Sequence, residues 1–124
     1  MRLSIVACDL AVCRLGAQEA VPRWAKVGLE FLSVTRTLDE LSIVCDTKVV
    51  PAGVRSESGW TAIKVEGPLD FGIIGTLASL LTPLANAGVP VFAVSTFDTD
   101  YVLVRKSMVD RAKTVLEGAG HDFR

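Results

Sequence analysis

At 124 residues, half of them hydrophobic, the chain can bury one compact core or two small cores fused together. Thirteen Lys and Arg against fourteen Asp and Glu leave a formal charge of -1, without the clustered basic excess that a nucleic-acid surface needs. Cys8, Cys13 and Cys45 cannot all pair within one chain, and their apolar neighbours mark them as small buried hydrophobes. With His121 as the single imidazole, they have no metal-ligand spacing, so neither a metal nor a cofactor is expected.

In chain order, the opening MRLSIVACDLAVCRLGA reads as strands at residues 3–8 and 12–15. Asp9 and Arg14 break its apolar run too early for a signal peptide. Residues 18–26 contain Pro22 and Trp24 and have room for little more than a turn of helix. Strands are predicted at 29–35 and 41–45, then a connection over 49–58 punctuated by Pro51 and Gly53. Residues 61–66 alternate, with Ile63 and Val65 on one face and Lys64 and Glu66 on the other. Trp60, just before them, reads as an edge or interface anchor.

A helix is predicted from Gly75-Thr76, with Leu77, Leu80, Leu81, Leu84 and Ala87 at helical spacing, ending at Gly88. Pro83 removes one of its hydrogen bonds and predicts a kink. Strands follow at 89–95 and 101–106, joined by the polar turn 96–100. A last helix is predicted from an N-cap at Ser107, with Met108, Ala112, Val115, Leu116 and Ala119 inward and Gly118 and Gly120 at its end. His121 beyond it reads as solvated. The uncharged span 71–97 is long enough to raise a membrane crossing. Pro83, Asn86, Gly88 and Pro90 break it, so a buried helix and strand fit better and a cytoplasmic location is expected.

One internal echo stands out. FLSVTRTLDELSIVCD (31–46) overlays VFAVSTFDTDYVLVRK (91–106) without gaps, setting Thr35 against Ser95 and Glu40 against Asp100. Both segments are β-rich runs around a short polar turn, as in a hairpin. Residues 12–15 likewise echo 62–65. The chain thus reads as two halves of related topology, the first with a shorter helical connection.

The stretch GIIGTLASLLTPLANAGVPVFAVSTFDTDYVLV resembles the ACT domain, in particular tandem ACT-like small proteins related to CASTOR-type amino-acid sensors. Gly75 stands where that family opens its first helix, and Ala87-Gly88 where the helix turns into the next strand. The resemblance covers residues 59–120 most strongly and is consistent with a second unit in the first half. It implies an α+β fold of two tandem ferredoxin-like βαββαβ halves, residues 1–55 and 56–124, with antiparallel sheets joined edge to edge and helices on one face. It also implies a regulatory protein that holds a small-molecule effector such as an amino acid where two ACT units meet; a homodimer that is not an enzyme is expected.

The residues suit that role. Amides at the start of the helix after Gly72 and Gly75 favour a carboxylate, and Asp70 or Asp98 suits an ammonium, with Ser95 and Thr96 as neutral partners. The expected ligand-binding set is Asp70, Phe71, Gly72, Ile73, Ile74, Gly75, Ser95, Thr96, Phe97 and Asp98. Alternatively, Asp70, Asp98 and Asp100 only cap backbone amides, and the protein is a ligand-free interaction module whose exposed strand edges pair with a second copy. Catalysis has no nucleophile with a base beside it and no phosphate-binding or dinucleotide motif.

Overall fold

The computed structural model describes residues 1–26, 30–69 and 74–124. The chain forms two compact units, one of residues 8–60 and one combining residues 1–7 with 61–124. Two long strands, β1 (Arg2–Leu15) and β4 (Ser56–Val65), contribute to both.

In the unit of residues 8–60, β2 (Ser33–Arg36) and β3 (Leu41–Asp46) form an antiparallel hairpin, and β3 pairs antiparallel with the second half of β1. Leu41, Ile43 and Cys45 of β3 face the same side, where they join Ala11, Cys13 and Ala25 in a buried cluster. Ala25 lies on a helix of one turn, Arg23–Lys26, as little helix as the Pro22 segment allows. β1 runs unbroken through Asp9, where the sequence predicts a gap between two strands. The Asp9 carboxylate accepts a hydrogen bond from the Thr47 hydroxyl at 3.2 Å, so its polarity is met without interrupting the strand. β2 starts later than the sequence predicts and keeps only four residues.

The other unit carries α1 (Thr76–Asn86), β5 (Phe92–Ser95), β6 (Asp100–Arg105), α2 (Val109–Gly118) and β7 (Asp122–Phe123). Its strand order is β1-β4-β6-β5, with β7 parallel to β1 at the other side. From β4 onward this is the ferredoxin-like βαββαβ order, except that the start of β1 lies between β4 and the short final strand. Val102 and Val104 of β6, Ile63 and Val65 of β4, Leu80 and Leu84 of α1, and Ala112 and Leu116 of α2 share one buried cluster. Period two on the strands and three to four on the helices produce this shared face. Among the described residues no helix is long and apolar enough to cross a membrane.

Both helices end in the same way. At α1, Gly88 takes φ 72° and donates its N–H to the Ala85 carbonyl at 3.0 Å, while Val89 N–H reaches the Leu84 carbonyl at 2.9 Å. Gly120 and His121 repeat those two bonds to Glu117 and Leu116 at the end of α2. These are paired Schellman bonds, which satisfy the last carbonyls of a helix.

The start of α2 and the place of His121 differ from the sequence-based reading. A helical turn at Lys106–Met108 precedes α2, Met108 holds the N-cap position, and Ser107 caps nothing. His121 is 7% exposed rather than solvated. Its Nε2 lies 3.0 Å from the Ser79 carbonyl of α1, and its Nδ1 lies 3.1 Å from the Met1 amine. A carbonyl only accepts, so Nε2 carries the proton. The reason lies in α1 itself. Residue 83 would normally donate its amide to the carbonyl four residues earlier, and Pro83 has none. His121 supplies the donor that Pro83 lacks.

Candidate ligand site

The turn between β5 and β6 is a four-residue loop, Thr96 to Thr99, closed by the pair Ser95↔Asp100. Its hydrogen bonds come from threonines. Thr96 N–H donates to the Thr99 carbonyl at 2.8 Å, and the Thr96 hydroxyl bonds the same residue's carbonyl and amide. Thr99, almost fully buried, donates its hydroxyl to the Val65 carbonyl at the end of β4 at 2.6 Å. The Asp98 carbonyl accepts from Leu69 N–H, also at 2.6 Å, tying the loop after β4 to the tip of the turn. Asp98 and Asp100 are thereby spared the capping that aspartates in turns usually perform, and neither carboxylate enters the turn's bonding.

Beside this turn lies a cavity of about 340 Å³, lined by Leu69, Gly75, Thr76, Leu77 and residues 95–100. The volume is that of a small-molecule site. The N-terminus of α1 forms one wall, and Gly75 at its N-cap offers no side-chain cap. Thr76, the first helical residue, is 8% exposed, and its hydroxyl has no hydrogen-bond partner among the described residues. A buried hydroxyl left unpaired is costly, and here it stands beside helix-start amides that have no partner within the helix. A smaller cavity of about 230 Å³ lies on the other side of the turn, where Lys64 and Tyr101 meet Thr96, Asp98 and Thr99.

Of the residues singled out in the sequence, Gly75, Ser95, Thr96, Phe97 and Asp98 line the larger cavity. Ile74 is 96% exposed and is not among its lining residues. Asp70, Phe71, Gly72 and Ile73 lie outside the described residues. Sequence reasoning left out Thr76 and Asp100. Asp100 is paired with Ser95, so both side chains stand on one face of the sheet, and strand alternation from buried Val102 would have placed it there.

A family model described as the ACT domain matches residues 55–118, and a second, described as an N-terminal domain, matches residues 9–53. The chain belongs to the ACT domain family. Among solved structures, this ACT-domain chain is 41% identical to Atu0741 of Agrobacterium tumefaciens, with a TM-score of 0.92 over 99% of this chain and 91% of that one. It is 20% identical to VC0802 of Vibrio cholerae, described as a protein of unknown function and possible transport protein, with a TM-score of 0.75 over 95% and 88% of the two chains. The regulatory subunit of aspartate kinase from Thermus thermophilus shares the ACT fold at 9% identity, with a TM-score of 0.61 over 94% of this chain and 96% of that one.

Proposed function

We propose that this ACT-domain protein is a regulatory binding protein that holds a small effector, an amino acid, in the cavity between the start of α1 and the β5–β6 turn. The observation that carries the reading is the pairing of unlike groups in one cavity. The α1 N-terminal amides, without partners inside the helix, and the Thr76 hydroxyl, unpartnered among the described residues, suit a carboxylate, and the Asp98 and Asp100 carboxylates lining the same cavity suit an ammonium. In this reading Asp70, Phe71, Gly72 and Ile73 also contribute to the binding loop, while Ile74 lies outside the cavity lining.

The protein acts by binding rather than by catalysis. Its one histidine is committed to the Ser79 carbonyl. The halves are tandem ACT-like units related to CASTOR-type sensors, and the protein works as a cytoplasmic homodimer in which a second copy closes the mouth of the site.

A thermal-shift series over the twenty amino acids tests this. A ligand present at a hundred times its Kd stabilises the fold by about 2.7 kcal/mol, so at least one amino acid is expected to raise Tm by several degrees. No response to any amino acid refutes the reading. A second reading, a pure assembly module, is favoured by Ile74, 96% exposed, and Phe97, 79% exposed, both large apolar side chains. It predicts a melting temperature that rises with protein concentration and ignores every amino acid.

A further inference from the structure

The two hairpins can be compared residue by residue. Arg36↔Leu41 closes the first and Ser95↔Asp100 the second, each around a four-residue turn, so Asp39 corresponds to Asp98. On the neighbouring long strands, residues 12–15 echo 62–65, and Arg14 corresponds to Lys64. In the unit of residues 8–60 that cation has a structural task. The Arg14 guanidinium donates to the Asp39 carbonyl at 3.0 Å and braces the tip of the turn.

In the ACT unit the task has passed to another group. The Asp98 carbonyl accepts from Leu69 N–H at 2.6 Å, and the Lys64 ammonium makes no hydrogen bond or ion pair among the described residues. Glu66 feels its charge, but that carboxylate is bonded to Ser4 and to Arg124. Lys64 stands half-buried in the cavity of about 230 Å³ behind the turn. Ile63 and Val65 on β4, and Val102 and Val104 on β6, point into the core under the helices. Alternation therefore sends Lys64 and Tyr101 to the opposite face of the sheet. The turn is the wall between this rear cavity and the one beside α1.

From this we infer that the rear cavity is a second binding site, for a small monocarboxylate, with Lys64 as its counter-charge. The site goes beyond the proposed amino-acid binding and does not depend on it. Burial takes water from an ammonium that has no protein partner, and a bound anion restores the lost interaction. The threonine hydroxyls here are already engaged, Thr99 with the Val65 carbonyl and Thr96 with the Thr99 carbonyl. One cation is thus the main attraction, and it suits one negative charge. Asp98 also lines the cavity, and its carboxylate repels a dianion more than a singly charged acid. Pro68 and the Tyr101 ring give a short carbon chain an apolar wall.

Titration of the full chain with acetate and lactate at constant ionic strength, followed by amide NMR with chloride as the reference, tests the assignment. Saturating shifts are expected at Lys64, Gly67 and Tyr101, with half-saturation at about millimolar concentration. Lys64→Met keeps the reach of the side chain but not its charge. It should weaken acetate about tenfold or more, the order of one charge-assisted hydrogen bond. Lys64→Gln serves the same purpose if the methionine variant fails to fold. Sulfate should bind more weakly than acetate, and Asp98→Asn should narrow that gap. No saturating response, or acetate binding that survives the loss of the Lys64 charge, overturns the inference. Shifts centred on Gly75 and Thr76 place the anion at the start of α1 and overturn it too, as does sulfate binding as tightly as acetate. A chain that binds acetate through Lys64 but answers no amino acid loses the proposed function and keeps this site. The reverse result removes this site alone.

Discussion

The His121–Ser79 contact gives a prediction that can be worked through from the covalent chemistry of one proline. Replacing His121 with Leu removes the donor that stands in for the missing amide of Pro83 and leaves the Ser79 carbonyl without its protein partner. An unmade bond to a buried group costs about 1–3 kcal/mol. Ser79 is exposed as a residue, so water recovers part of this and the lower half of that range applies. Unfolding entropy near 2.1 cal/mol/K per residue over 124 residues converts about 1–2 kcal/mol into a fall in Tm of about 4–8 °C.

The decisive measurement is a double-mutant cycle in urea. Pro83→Ala restores an amide that points at the Ser79 carbonyl from within α1, so in that background His121→Leu should cost less, with a coupling of about 0.5–1.5 kcal/mol. Equal cost of His121→Leu in both backgrounds would refute the idea that the histidine substitutes for the proline's amide.

Four further outcomes are expected. Burial pushes the Cys45 thiol up from about 9 to about 12, with neighbouring Cys13 and Asp46 adding to the shift, and burial also raises Cys13; in native protein at pH 8 only half-buried Cys8 should react with iodoacetamide, and all three cysteines should react in urea. Because the folded state holds those protons more tightly, the associated stability is complete below pH 9 and is lost as pH rises towards 12. Urea midpoints should decline over that window, and less steeply in a Cys13→Ala/Cys45→Ala variant. Thr99→Val keeps the shape of the side chain but deprives the Val65 carbonyl of its 2.6 Å donor, at a cost of about 1–2 kcal/mol in chemical denaturation, whereas Thr99→Ser should cost under about 1 kcal/mol. Gly67→Ala would place a methyl 3.0 Å from the Asp98 carbonyl and 3.2 Å from Thr99 Cβ, both fixed in the turn, so it should displace the turn and weaken effector binding by more than it lowers stability.

Periodicity made the core legible. Leu80 and Leu84 on α1, and Ile63 and Val65 on β4, fall where three-to-four and two-residue spacing put them, and Gly88 ends α1 as its position after the apolar run implies. What periodicity could not carry was any contact between distant residues. His121 reads as part of a polar tail because its partner is a backbone carbonyl 42 positions away, and nothing in local sequence announces that need except Pro83. Ser107 looks like a helix cap, yet it lies within a helical turn that precedes α2, and the cap position falls on Met108. The polar turn at 96–100 was visible as a cluster of candidate groups, but which of them would be consumed by the fold was not. Threonine hydroxyls took the capping work, which left the aspartates to face the cavity.

The first seven residues belong with residues 61–124, while residues 8–60 close on themselves. In chain order the second of these units is nested inside the first. The partners of the inner unit all lie within residues 8–60, whereas Arg2 and Leu3 pair with Asp122 and Phe123, some 120 positions further along the chain. Bringing such distant segments together is an entropic burden that a folded insert lightens, because it shortens the loose chain to be closed. A tag or truncation at residues 1–7 would be felt by the ACT unit, far along the sequence, before it disturbed the unit that follows it.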